Sequence, residues 1–120
     1  MKDCDYREEF YMTNDRRVVL TTAGSVDEAN KIADALVQRR LAACVNVVGP
    51  ISSVYRWKEK VERAQEWLLL IKTTTGAADA IADAIKGLHS YELPECVALA
   101  VEGGSEAYLE WIGENVAQPD

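Results

Sequence analysis

The chain is poor in the residues that cross-link small folds and build common catalytic centres. Its 120 residues include 3 cysteines, 3 prolines and 1 histidine. Cys4, Cys44 and Cys96 cannot all pair within one chain and show no CxxC spacing, so neither a disulfide framework nor a zinc knuckle is indicated. His89 would have to serve any Ser-His or Cys-His scheme, and no Gly-x-Ser-x-Gly segment accompanies it. We therefore expect a protein that is not an enzyme.

Basic residues and long apolar runs are also scarce. Lys and Arg total 13 against 20 Asp and Glu, which leaves a formal charge of −7 at pH 7. An acidic protein repels phosphate backbones, so we expect no nucleic-acid partner. No apolar run approaches the roughly 18 residues of a membrane span, and the N-terminus lacks the apolar core of a signal peptide. These absences predict a cytoplasmic protein with no membrane partner.

The apolar residues that are present, 48% of the chain, follow strand and helix periodicities in turn. Residues 1–15 are polar and aperiodic, and we expect them to form a disordered extension to one domain at residues 16–120. Ser25 and Glu28 have the spacing of a capping box at the start of the first helix. The predicted elements, in chain order, are a strand at 18–23, a helix from 25, strands at 43–57 and 60–74, a helix from 76, a strand at 95–101 and a helix capped by Ser105.

This β-α-β-β-α-β order predicts an α+β fold. Right-handed crossovers would give a ferredoxin-like antiparallel sheet with the two helices on one face and an additional helix at the C-terminus. The run from Trp67 to Lys72 is too continuously apolar for a strand with one wet face. We therefore expect both faces of that strand to be covered.

The two central strands are too long for a domain of this size. Each arm of about 15 residues spans roughly 50 Å, whereas a compact domain of this length is only about 35 Å across. The hairpin should overhang by roughly 10–15 Å, with Tyr55 and Trp57 near its tip. Exposed strand edges and aromatic side chains promote aggregation, so we expect other copies of the chain to cover it. The alternative is that the strands are shorter and fold back on the monomer.

A polar cluster lies between the second helix and the last long strand. Imidazole suits copper, nickel and zinc, and a carboxylate can complete a ligand set, so His89 and Glu95 are candidate metal ligands. A third ligand would have to come from Cys44, Cys96, Glu92 or a neighbouring chain. The competing interpretation is structural: His89 closes the helix, and its ring bonds a carbonyl group.

Six blocks of sequence carry a family resemblance. They are VVLTTA at 18–23, RLAACVN at 40–46, YRW at 55–57, LLLIKT at 68–73, HSYELPE at 89–95 and YLEWI at 108–112. In this order, over about residues 17–116, they resemble CutA, the divalent-cation tolerance protein family. The resemblance implies a ferredoxin-like fold, a homotrimer packed through the long hairpins, and a non-catalytic role in tolerance to copper and other divalent cations.

The resemblance also implies a metal site. Family proposals for copper binding use a first-strand cysteine, a histidine that ends the second helix and the glutamate after the proline. The corresponding residues here are Thr21, His89 and Glu95. Because threonine replaces the soft cysteine ligand, we expect copper(II) to bind weakly and mainly through His89. We also expect that the protein requires no cofactor. Two further departures are Ser90, where proline is usual, and Glu59, where glycine is common.

A rival function is that of the PII-type regulators, which share the trimeric ferredoxin-like plan. Clefts between subunits would then bind an anionic small molecule through Arg56, Lys72 and Tyr91. PII proteins typically carry a long flexible nucleotide-binding loop that this chain lacks, so the sequence favours CutA. Lys72 alternatively extends from the end of an apolar run to reach water.

Overall fold

Two long central strands run antiparallel to each other and organise the rest of the chain. A computed structural model describes residues 10–117. Its elements, in chain order, are β1 (Phe10–Met12), β2 (Arg16–Ala23), α1 (Val26–Gln38), β3 (Cys44–Trp57), β4 (Lys60–Thr74), α2 (Thr75–Leu88), β5 (Val97–Ala100), β6 (Gly103–Ser105) and α3 (Glu106–Glu114). The predicted α+β class is confirmed.

The main sheet has four strands in the order β3-β4-β2-β5, and each neighbouring pair is antiparallel. Strand β4 lies between β3 and β2, so its buried ladder holds the two halves of the chain together. The short strands β1 and β6 form a separate antiparallel pair. The predicted order of long strands and helices is therefore confirmed, with β1 and β6 added to it.

The turn of the long hairpin consists of two residues, as predicted. Lys58 and Glu59 have φ angles of 50° and 70°, and Trp57 pairs with Lys60. Left-handed φ at both central positions defines the type I′ turn, whose twist matches the flanking strands. Glu59 adopts this conformation although it has a Cβ, so the turn does not require the glycine that is common in the family.

A bulge interrupts strand β3 at Gly49–Pro50. The β3–β4 register shifts between Val48 and Ile51. Gly49 lies against Trp67, because a Cβ built on Gly49 would be 2.5 Å from the Trp67 Cδ1 atom. Only a residue without a side chain allows this close approach.

Helices α1 and α2 cover one face of the main sheet. Ser25 caps α1, and its Oγ accepts a hydrogen bond from the Glu28 backbone N–H at 3.1 Å. Ala29, Ile32 and Leu36 are buried on the inner face of α1. Val37 follows Leu36 but is 41% exposed. Within residues 10–117, no helix is both long and apolar enough to cross a bilayer.

The C-terminal helix and the first strand pack at the other end of the sheet. Ser105 caps α3, as predicted, and Leu109 and Ile112 are buried in a second apolar cluster. Residues 1–9 of the expected extension lie outside the described residues. Phe10–Met12, the next part of it, pairs with Gly103–Ser105. The domain boundary at residue 15 stays a prediction, but this segment is bound to the body of the chain.

Helices α1 and α2 leave the opposite face of the main sheet uncovered, and α3 meets it only near Arg16 and Lys72 within the described residues. Strand alternation places Val19 and Ile71 on the helix side, in the main core. Register then places Leu20 and its partner Val97 on the other side, and likewise Val18 and Leu99. Val97 and Leu99 are each 48% exposed. The prediction that both faces are covered is therefore not met within a single chain.

The buried hydroxyl of Thr21 gives a test of this core. Thr21 is 0% exposed, shares the helix-side face with Val19, and its Oγ1 has no hydrogen-bond partner among the described residues. An unpaired buried hydroxyl costs free energy, so Thr21→Val should raise the free energy of unfolding by about 1 kcal/mol.

Thr73 supplies the matched control. It is equally buried, but its hydroxyl donates to the Leu41 carbonyl oxygen at 2.7 Å. Thr73→Val should therefore lower the free energy of unfolding by about 1–3 kcal/mol. Urea denaturation at one protein concentration measures both variants. The same sign of change in both would show that the Thr21 hydroxyl is not an unpaired group.

Candidate functional site

A cavity of about 660 Å³ lies between the long hairpin and the segment that follows α2. Its wall combines aromatic rings, carboxylates and small polar or aliphatic side chains. The lining residues are Thr22, Ser53, Val54, Tyr55, Trp57, Glu66, Tyr91, Glu92, Leu93 and Glu95. No lysine, arginine or histidine is among them.

Glu66 and Tyr91 join the two walls of the cavity. Glu66 belongs to β4 and lies two residues before Leu68, which pairs with Thr22 on β2. Because side chains two apart on a strand share a face, Glu66 lies on the sheet face away from the helices. The Tyr91 hydroxyl donates to the Glu66 Oε2 atom at 2.9 Å. Burial, and then this hydrogen bond to a carboxylate, raises the pKa of Tyr91. The phenol therefore stays protonated and donates a hydrogen bond to the Glu66 side chain.

His89 anchors the base of the same segment. Its side chain is 0% exposed, and its Nδ1 atom accepts from the Tyr91 backbone N–H at 3.1 Å. That bond requires the lone pair of Nδ1, which assigns the proton to Nε2. Nε2 then donates to the Thr22 carbonyl oxygen at 2.5 Å. Both ring nitrogens are used inside the chain, as in the structural interpretation of this residue.

Glu28 fixes the segment from the side of α1. Its Oε2 atom accepts the Ser90 backbone N–H at 2.8 Å and lies 3.9 Å from the His89 Nδ1 atom. Ser90, which stands where proline is usual in the family, supplies the N–H that proline lacks. The carboxylate of the expected capping box is therefore directed at the loop after α2.

The residues described here do not fit a preformed metal site within one chain. Glu95 lines the cavity, whereas His89 does not, and neither imidazole nitrogen has a free lone pair. Cys44 begins β3 and Cys96 precedes β5, and neither lines the cavity. Across residues 10–117, no group of three or more His, Cys, Asp and Glu side chains is placed to hold a metal ion.

The position of the family's first-strand cysteine is also turned away from the cavity. Thr21 points into the core with Val19 and Ala23, whereas its neighbour Thr22 lines the cavity. Adjacent residues of a strand point to opposite faces. A cysteine at position 21 would therefore be a core residue in this chain.

The three residues predicted for an anionic ligand are not brought together within the chain. Tyr91 lines the cavity. Arg56 lies by the hairpin turn, where its Nη1 atom is 3.5 Å from the Glu59 carbonyl oxygen. Lys72 lies at the far end of β4, with its Nζ atom 5.8 Å from the centre of the Tyr108 ring.

Sequence reasoning missed Glu66, which is the most deeply buried carboxylate of the site. It is 7% exposed. Its signal was its position, one residue before the apolar run of β4 and in alternation with Leu68 and Leu70. A carboxylate on that row of a covered strand needs a partner or a ligand.

The sheet, the overhanging hairpin and the acidic, aromatic cavity define a small α+β protein. Residues 17–115 match the family described as CutA1 divalent ion tolerance protein. The chain belongs to this family. The resemblance found in the sequence is therefore confirmed.

Individual relatives agree with this assignment. The divalent-cation tolerance protein CutA of Thermus thermophilus is 50% identical over 98 residues, which is 82% of this chain and 95% of the relative. Human protein CutA is 39% identical over 85% of this chain and 57% of its own length. The chain thus spans nearly all of the bacterial relative but little more than half of the human one.

Solved structures share the fold. The divalent cation tolerance protein of Thermus thermophilus superposes with a TM-score of 0.83 at 48% identity, covering 85% of this chain and 99% of that one. CutA1 of Oryza sativa superposes with a TM-score of 0.86 at 37% identity, covering 89% and 98%. An Archaeoglobus fulgidus relative is described as periplasmic and an Arabidopsis thaliana relative as chloroplastic, so membership leaves the compartment open.

Acid titration tests the Glu28 anchor. Burial favours a higher pKa for Glu28, but the Ser90 hydrogen bonds and nearby His89 outweigh it and lower the pKa below its ordinary 4.5. A lowered pKa in the folded state stabilises the fold above the unfolded value, and this contribution is lost as pH falls through the folded value. Glu28→Gln should therefore lower the free energy of unfolding at pH 7 by about 1–2 kcal/mol. Below pH 4.5, the stability of this variant should fall less steeply with pH than that of the parent.

Asp34→Asn is the control for this titration, because Asp34 is an exposed carboxylate on the same helix. Thermal melts between neutral and acidic pH should show the parent's slope for this variant. An unchanged acid slope in Glu28→Gln would mean that the carboxylate does not hold the loop.

Proposed function

We propose that this chain acts in divalent-cation tolerance as a non-catalytic homotrimer of ferredoxin-like subunits. Family membership supports the tolerance role. The strand order β3-β4-β2-β5, with both crossover helices on one face, supports the ferredoxin-like description. The observation that carries the assembly is the apolar sheet face that the chain leaves open.

The open face is broad and apolar. Its apolar residues lie on the outward rows of β2, β4, β5 and the sheet-paired part of β3: Val18, Leu20, Val48, Leu68, Leu70, Val97 and Leu99. Polar residues, among them Arg16, Asn46 and Lys72, lie at the edges of these rows. Contiguous exposed apolar surface on a small protein marks an interaction site. Other copies of the chain that pack on this face would bury the second side of β4, as its continuous apolar run predicts.

The outer half of the hairpin, residues 51–66, extends beyond the pairing with β2 and also supports an assembly of several copies. The molecule measures 50 × 37 × 24 Å, and its radius of gyration of 16.1 Å exceeds the value of about 14 Å expected for a compact chain of this length. Val54 and Val61 are 53% and 61% exposed on the hairpin arms. An isolated two-stranded ribbon is marginal in water, so covering it with neighbouring subunits stabilises it.

Divalent cations, copper(II) among them, are proposed to bind this chain only weakly. The excess of acidic side chains attracts cations in general. A tight copper(II) site needs imidazole nitrogen, and the His89 ring would have to break one of its two internal hydrogen bonds to provide it. We further propose that the protein needs no metal to fold and works in the cytoplasm.

The PII-type alternative has less support. Its three ligand-binding candidates lie in different parts of the chain, and the cavity that holds Tyr91 is lined by carboxylates instead of cations. An anionic small molecule would be repelled from that cavity.

Sedimentation equilibrium tests the assembly. At low micromolar concentration the protein should have three times the chain mass of 13.3 kDa. Val97→Asp should dissociate it, because the carboxylate would be desolvated in the interface. Val37→Asp is the control, since Val37 is 41% exposed but lies on α1. A monomeric parent, or equal effects of the two variants, would contradict the proposal.

Copper titration tests the metal proposal. Calorimetry of the assembled protein should reveal no copper(II) site tighter than about 1 µM. His89→Ala should leave this weak binding unchanged and lower the melting temperature, because the Thr22 carbonyl and the Tyr91 N–H lose their partner. Loss of copper(II) binding in His89→Ala would show that the ring turns to bind metal, as the sequence predicts.

A further inference from the structure

Glu66 is a buried carboxylate without a cationic partner in the described part of the chain. It is 7% exposed, and it accepts a hydrogen bond from the Tyr91 hydroxyl. Among residues 10–117, the Arg16–Asp15 ion pair and the contact between the His89 ring and Glu28 both leave Glu66 out. A neutral phenol compensates only part of the cost of burying a carboxylate. The site therefore has an unmet need for positive charge.

The rest of the cavity also suits a cation. Tyr55, Trp57 and Tyr91 line its wall, and aromatic faces attract ammonium groups through their quadrupole. The Lys58 Nζ atom already lies 5.5 Å from the centre of the Trp57 ring. The rings of Tyr55 and Tyr91 are therefore the ones left for a ligand. Glu92 and Glu95 add further negative charge to the same wall. With no basic side chain among the described lining residues, these features select against anions.

The size and the ligand pattern favour an organic cation over a bare metal ion. A volume of about 660 Å³ falls within the range of small-molecule sites and far exceeds the space that a single ion needs. A hard metal ion requires several oxygen ligands that converge, and the described residues contain no such group. Rings beside a carboxylate instead offer both apolar contact and charge to an alkylated ammonium group.

We propose that this cavity binds a small organic ammonium compound. The ammonium group lies at Glu66, and the carbon groups attached to it contact the aromatic rings of the wall. This binding is separate from divalent-cation tolerance and does not depend on copper. The Tyr91–Glu66 hydrogen bond orients the carboxylate for it.

Calorimetry of the assembled protein with two probes of equal shape tests the proposal. Choline carries the positive charge, and 3,3-dimethylbutan-1-ol is its neutral carbon counterpart. Choline should bind with a dissociation constant of about 1 mM or lower, and the neutral alcohol at least about tenfold more weakly. This comparison needs no variant, so it remains decisive if a substitution disturbs folding.

Glu66→Gln then identifies the residue responsible. Its amide oxygen still accepts from Tyr91, so the fold should persist, while choline affinity should fall at least about tenfold and the affinity for the neutral alcohol should not change. Glu62→Gln, at an exposed position on the same strand, is the matched control and should bind choline like the parent.

Three results would overturn the proposal. Equal binding of choline and the alcohol would mean that the cavity recognises only apolar shape. Unchanged choline affinity in Glu66→Gln would place the site elsewhere. Failure of the assembled parent protein to bind choline, tetramethylammonium or putrescine would mean that something other than a small cation, such as a basic side chain of a second copy, compensates Glu66. None of these results bears on the trimer, whose mass is measured separately.

Discussion

The structure depends on a four-stranded sheet that helices α1 and α2 cover on one face. Antiparallel pairing on both sides of β4 holds the chain together. Helices α1 and α2 bury the side that carries Val19, Leu69 and Ile71. The other side also carries apolar side chains, and Val97 and Leu99 there are each 48% exposed. The hydrophobic effect acts equally on both faces, so this pattern supports the proposal that other copies of the chain cover the second face.

The loop after α2 owes its position to the same sheet. His89 bonds to the Thr22 carbonyl at the end of β2, Tyr91 bonds to Glu66 of β4, and Glu28 of α1 accepts the Ser90 N–H. Three hydrogen bonds to three elements close one side of the cavity. His89, a candidate metal ligand from the sequence, uses both ring nitrogens in hydrogen bonds in this arrangement. Carboxylates and aromatic rings are left to define the chemistry of the cavity.

Local patterns predicted much of the fold. Strand β4 has the predicted bounds, Lys60–Thr74, because a long apolar run follows an unmistakable turn, and Ser25 and Ser105 cap the helices that their spacing indicated. Non-local contacts were not predictable. The pairing of Gly103–Ser105 with Phe10–Met12 joins segments about ninety residues apart in sequence, and neither segment has a distinctive strand pattern. The tautomer of His89 and the burial of Glu66 depend on which elements meet in space, and periodicity carries no information about that.

Hydroxyl-radical footprinting of the native protein tests most directly whether other copies of the chain cover the open sheet face. Val97, Leu99 and Val37 have similar exposure in the single chain, at 48%, 48% and 41%. Val97 and Leu99 lie on the open face, whereas Val37 lies on helix α1. If other copies cover that face, Val97 and Leu99 should be oxidised far more slowly than Val37. Comparable oxidation rates, after correction for the intrinsic reactivity of valine and leucine, would show that the face is exposed in solution and would contradict the account.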